Sequence, residues 1–156
     1  MADVAVIGAM GSFDVEELKI KLQEMGVLGM DPKMVCGKDH IVSAAKCAMK
    51  AFSSKKNVCS TLAMETMLYA SGERQISKAA DKMGIKSSGA VALVVFNEKT
   101  EEVLSILSLN QDDSILDPSE EKMVNFGISK SELNSVSESK KYDLVLEHVA
   151  FASLKK

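Results

Sequence analysis

The strongest pattern of apolar and polar positions lies between residues 62 and 85, LAMETMLYASGERQISKAADKMGI, where two helical periods meet at a corner. Met64, Met67 and Leu68 give the first helix its apolar stripe. Ile76, Ala79, Ala80 and Met83 repeat at i, i+3, i+4 and i+7, the period of an amphipathic helix. Ser71 or Gly72 suits the N-cap of that second helix, because a short polar or side-chain-free residue serves the free amides of a first turn. Gly84 suits a left-handed C′ residue, with Ile85 as its hydrophobic contact. The mouth between the helices, ASGERQ, combines small residues, free backbone donors, Arg74 and Gln75.

The rest of the chain alternates strands and helices around this corner. Residues 3–7 are a β-branched, apolar run and predict a buried strand that ends at Gly8. The GAMG stretch, 8–11, then leads into a helix over 15–25. There Asp14 is the N-cap, Glu17 makes a capping-box-like start, and Val15, Leu18, Leu22 and Met25 form the inner stripe. Residues 26–31 read as a turn and 33–36 as a short strand. A helix over 39–52 has Asp39 as its N-cap and an inner stripe of Ile41, Ala44, Ala45, Ala48 and Phe52. Ser60 or Thr61 caps the helix that opens the corner. Residues 90–96, AVALVVF, are apolar throughout, as in a strand covered on both faces. A turn at 97–100, a helix over 101–109, an extended piece at 114–116, a Pro118-led helix to Phe126 and a terminal helix over 140–153 complete the reading. The fold class is therefore α/β: a single domain spanning 1–156, with a small mixed sheet packed against several helices.

Composition narrows the function. The 156 residues carry a net charge of −3 at a pI of about 5.5, so bulk charge does not draw the whole chain onto nucleic acid. Any RNA contact is local. Nothing approaches the ~20 apolar residues of a membrane span, and the MADVAVIG start lacks the basic region of a signal peptide, so a cytoplasmic protein is expected. Cys36, Cys47 and Cys59 form no C-x-x-C pair and read as reduced thiols. With His40 they match no ordinary zinc spacing. His40 and His148 stand in no catalytic motif, no G-K-[ST] phosphate loop exists, and Asp112 and Asp113 read as a solvated loop. No cofactor is expected, and the balance favours a binding module over an enzyme.

Two stretches keep alternatives open. Strand, glycines and helix at 8–11 resemble a dinucleotide fingerprint, although Met10 occupies the place of its second glycine. A small nucleotide- or ligand-binding regulatory domain is the alternative function on that ground. Glu65 lies either on the outer face of its helix or against Arg74, fixing the corner. His40, at a helix start beside Lys38, is either a solvated surface residue or a phosphate contact.

The run ETMLYASGERQISKAADKMGI, with KDHIVSAA upstream and YDLVLEHVAFASL at the end, resembles the PRPK-binding protein family, the small kinase-binding subunits of the KEOPS (EKC) complex. Glu65, Leu68, Ser71, Gly72, Gln75, Ile76, Ala79 and Gly84 fall where archaeal members have them. The first strand and helix match more loosely. The resemblance implies a non-catalytic α/β protein that binds the N-terminal lobe of the complex's small atypical kinase/ATPase and meets the other subunits indirectly. It also implies a role in making threonylcarbamoyl-adenosine on tRNA, with the tRNA 3′ CCA end bound by the archaeal-type subunit. The residues expected at the RNA are Lys38, His40, Ser71, Gly72, Arg74, Gln75 and Ile76. The terminal helix, through Leu144, Val145, His148 and Phe151, is the candidate kinase face, and the same residues also suit the domain's own core.

Overall fold

The computed structural model describes residues 4–96 and 100–155, with side chains described through residue 150. In chain order the elements are β1 (Val4–Gly11), α1 (Val15–Met25), β2 (Leu28–Met30), α2 (Lys38–Ser53), α3 (Leu62–Ser71), α4 (Ile76–Met83), β3 (Gly89–Phe96), α5 (Thr100–Leu107), β4 (Asn110–Gln111), α6 (Glu120–Phe126), α7 (Lys130–Asn134) and α8 (Lys141–Lys155). The α/β class follows the sequence, and every described pairing in the small sheet is antiparallel. The strand order is β2-β3-β1-β4, with Val4 opposite Phe96, Gly11 opposite Gly89 and Leu28 opposite Val94.

Alternation along β1 and β3 builds two cores. Val6, Ala92 and Val94, joined by Leu28 and Met30 of β2, face Ile41, Ala44 and Ala48 of α2 and Tyr69 and Ala70 of α3. Ile7, Ala9, Val91, Leu93 and Val95 face Leu18 and Leu22 of α1 and Val103 and Leu107 of α5. The uninterrupted apolar run of β3 is thus explained by helices on both sides, as expected.

Several boundaries differ from the sequence reading. The strand β1 does not stop at Gly8 but continues to Gly11, and Met10 pairs with Asn110. Gly8 donates its amide to Asp113 Oδ1 at 3.0 Å, and its carbonyl accepts from the Asp112 amide at 2.8 Å. A Cβ on Gly8 would lie 2.3 Å from the Asp112 carbonyl oxygen and 2.5 Å from Ile115. The glycine is there to let the chain's own return segment approach. That occupies the space a nucleotide would need, and the antiparallel neighbour replaces the parallel unit that a dinucleotide site requires. Asp113 is correspondingly structural: it also pairs with Lys38 at 2.7 Å. The strand expected at 33–36 is a 3-10 turn, Pro32–Met34, and β2 lies earlier, within the expected turn. Residues 113–116 form another 3-10 turn in place of the extended piece. The expected strand residue Asp3 and the turn at 97–99 lie outside the described residues.

The helices α2 and α3 form the antiparallel hairpin on which the corner rests. The N-cap of α2 is Gly37, not Asp39, and a glycine has no side chain to offer the first-turn amides. Tyr142 of α8 supplies the missing acceptor: its hydroxyl takes the His40 amide at 2.8 Å. The His40 side chain is fully buried, contrary to the solvated reading. Its Nδ1 accepts from the Cys36 amide at 3.1 Å, which leaves Nε2 to donate to the Ala70 carbonyl at 2.8 Å. The ring is therefore a neutral strut between the start of α2 and the end of α3. Burial lowers its pKa to about 4 despite the help of the Ala70 carbonyl. Glu65 is also fully buried, on neither the outer face nor Arg74. Its Oε1 accepts the amides of Val58 at 3.0 Å and Cys59 at 2.8 Å, clipping the preceding loop onto α3. Met64 and Ala80, placed on inner stripes by periodicity, are exposed.

Two predictions follow from these buried groups. The unfolded chain protonates His40 near its ordinary 6.5, while the native state resists protonation down to about 4. This contribution is complete above pH 6.5 and falls as pH drops toward 4, by about 2 kcal/mol at pH 5. Urea unfolding at pH 7.5 and pH 5 is expected to show this extra loss in the wild type and not in His40→Gln. Removing the Glu65 acceptor leaves two loop amides without their partner. Glu65→Leu is expected to cost about 2–4 kcal/mol in urea unfolding and Glu65→Gln, which keeps an oxygen, less than half of that.

Candidate functional site

The two helix ends that meet at the corner are treated in opposite ways. The last four carbonyls of an α-helix have no partner within it. In α3 all four are taken by named donors. Leu68 accepts from Ser71 Oγ at 2.8 Å, Tyr69 from the Gly72 amide at 3.2 Å, Ala70 from His40, and Ser71 from Lys82 Nζ at 2.8 Å. Gly72 is the left-handed cap of this end, at φ 73°, so it closes the first helix and does not open the second. Ser71 Oγ also accepts the Glu73 amide at 3.0 Å.

The start of α4 is open. Its N-cap is Gln75, whose side chain makes no capping bond, and the amides of residues 75–78 have no partner among the described residues. Arg74, Gln75 and Lys78 are exposed, and with Gly72 and Glu73 they line a shallow depression at this mouth. Free amides, the positive end of the helix dipole and two cationic side chains favour an anion there. Glu73 beside them works against it. At the far end of α4, Gly84 has φ −67°, not the left-handed value, and its amide closes on Ala80 at 2.8 Å.

The corner is braced from below by an aromatic stack. Lys82, on α4, sits 4.2 Å over the Phe126 ring while holding the Ser71 carbonyl. Phe126 in turn meets His40 edge-on at 4.9 Å and His148 of α8 at 5.7 Å. One phenyl ring thereby ties together α2, α4 and α8.

Placed against this geometry, the residues expected at the mouth divide. Gly72, Arg74, Gln75 and the half-buried Ile76 lie together at it. Ser71 is buried, with its hydroxyl committed inside the corner. His40 belongs to the strut beneath and is not accessible for a phosphate. Lys38 is exposed but turned toward Asp113, and the mouth of α2 beside it is covered by Tyr142. Lys78, which the sequence reading did not single out, joins the site. Lys82 joins its support. On the terminal helix Val145 is wholly buried among Cys36, Met123, Phe126, Ile128 and Leu133, so it is core and not surface. Leu144 and His148 are half-buried, and the Phe151 side chain lies outside the described residues.

Other chemistry is sparse among the described residues. No group of three or more His, Cys, Asp or Glu there has the arrangement to hold a metal ion. Burial pushes the Cys36 thiol up to about 11, despite the nearby Lys122 and Lys82 charges, which keeps it protonated and a poor ligand or nucleophile. No described helix is long and apolar enough to cross a membrane.

Comparison with known proteins agrees with a binding role. No individually curated protein matches the chain. The family model described as kinase binding protein CGI-121 matches residues 14–149, from the N-cap of α1 to the buried Val149 of α8 and including the whole corner. The chain belongs to the CGI-121 family of kinase-binding proteins.

Proposed function

We propose that this family member is a non-catalytic subunit of the KEOPS assembly. It binds the small atypical kinase/ATPase directly, meets the other subunits through it, and helps recruit tRNA by its 3′ CCA end for threonylcarbamoyl-adenosine modification. The single observation that carries the RNA half is the contrast at the corner: every terminal carbonyl of α3 is satisfied, while the first amides of α4 are left open beside Arg74 and Lys78.

The mechanism is binding and positioning. A terminal phosphate takes the open amides of α4, where fixed dipoles need no rearrangement to receive it. The guanidinium of Arg74 stacks on an unpaired base or grips a phosphate with two donors. Gln75 reads a base edge, and the exposed part of Ile76 supplies apolar contact. Single-stranded ends suit this mouth because their bases are free to splay out. For the kinase, the outward parts of Leu144 and His148 on α8 are the proposed contact, adjoining the helix that braces the corner from behind.

Arg74→Glu is expected to weaken binding of CCA-ended tRNA at least tenfold in fluorescence anisotropy, while co-purification with the kinase is unchanged. Equal affinity of the wild type for tRNA with and without its CCA end would overturn the RNA half of this reading.

A further inference from the structure

The chain is acidic overall, yet residues 40–64 contain no Asp or Glu. In the same stretch Lys46, Lys50, Lys55 and Lys56 are all exposed, and none has an acidic partner within salt-bridge distance among the described residues. Asp39 precedes the stretch at the head of α2. The next acid after it, Glu65, is buried, with Oε1 turned inward onto the loop amides of Val58 and Cys59. The stretch thus carries four exposed ammonium groups and no carboxylate, the nearest exposed acid on the same face of α2 being Asp39 in its first turn.

The lysines are also ordered in space. Lys46 and Lys50 stand one turn apart on the face of α2 opposite Ile41, Ala44 and Ala48. His40, at the start of the helix, is bonded to Ala70 beside the corner. At 1.5 Å per residue, Lys46 lies roughly 9 Å and Lys50 roughly 15 Å along the axis from that point. Lys55 and Lys56 follow at the far end, in the loop that Glu65 anchors. The four lysines thus run from the middle of α2 to its far end and into the following loop, away from the end that meets the corner.

We propose that this line is a second contact for the same RNA, holding the sugar-phosphate backbone of the strand that leads to the bound 3′ end. It rests on the RNA half of the function proposed above for the identity of its partner. Lysines that act as point charges suit phosphates without sequence preference, and their spacing along one edge follows a strand. An anionic membrane would draw on the same charges, but the exposed apolar residues beside them, Val58 and Met64, include no aromatic anchor.

The test uses the full chain carrying Lys46→Ala, Lys50→Ala, Lys55→Ala and Lys56→Ala together, four exposed changes whose folding is checked by thermal melting. Binding is read by fluorescence anisotropy over a salt series, with whole tRNA, a short single-stranded CCA-ended oligonucleotide, and vesicles containing phosphatidylserine. The variant is expected to bind whole tRNA about tenfold more weakly or worse near 150 mM salt. Its slope of log affinity against log salt is expected to be shallower by about 3, and the short oligonucleotide is expected to bind as before. An unchanged slope and affinity for whole tRNA would overturn the proposal. So would lysine-dependent binding to the vesicles that exceeds binding to RNA, or no RNA binding by the wild type. A wild type that holds whole tRNA through the lysines but ignores the short oligonucleotide would refute the mouth and leave the lysine line standing.

Discussion

The strut on which the corner depends is one buried imidazole. His40 accepts the Cys36 amide on one nitrogen and donates a hydrogen bond from the other to the Ala70 carbonyl, locking the start of α2 to the end of α3. Every neighbouring feature is arranged to keep that ring neutral and in place. Tyr142 caps the turn that carries it, Phe126 meets it in a T-shaped contact, and Lys82 holds the next carbonyl along. A buried polar group with both of its sites satisfied specifies one geometry strongly, since any shift leaves an unpaired donor or acceptor in an apolar setting. The corner inherits this rigidity.

That rigidity fixes the two helix ends that meet at the corner. At one helix end each terminal carbonyl already has a donor, whereas the adjoining helix start presents amides without a partner among the described residues. The asymmetry favours an anion at the start of α4. It also gives α8 a double role. Its inner face, through Val145 and Val149, completes the core, and Tyr142 and His148 reach the supports of the corner.

The helices were legible wherever the period was long and the caps ordinary. Asp14 before α1, Thr61 before α3 and the apolar run of β3 behave as their types dictate. What local pattern could not reveal were the groups defined by distant partners. Nothing near Gly37 announces that its cap comes from Tyr142, about a hundred residues later. His40 reads as a surface residue or a phosphate contact, and Glu65 as an outer-face residue or a partner of Arg74, because polarity usually means exposure; only their amide and carbonyl partners reverse that. Gly8 suits a tight turn or a phosphate loop alike because glycine serves close approach of any kind, and here the approaching group is the chain's own segment at Asp112 and Ile115. In the mouth, Arg74 and Gln75 lie in the first turn as the sequence reading has them, while Ser71 and Gly72 are displaced by one structural step. They close the helix that ends there and do not cap the one that begins.

Hydrogen exchange tests the central claim, that the open start of α4 is the contact for an RNA 3′ end. Amide exchange is measured residue by residue, with and without a CCA-ended RNA. Exchange at residues 75–78 is expected to slow on binding, while the amides of Gly72 and Glu73, already bonded within the corner, change little. Binding that leaves residues 75–78 unprotected and slows exchange only elsewhere would contradict the account.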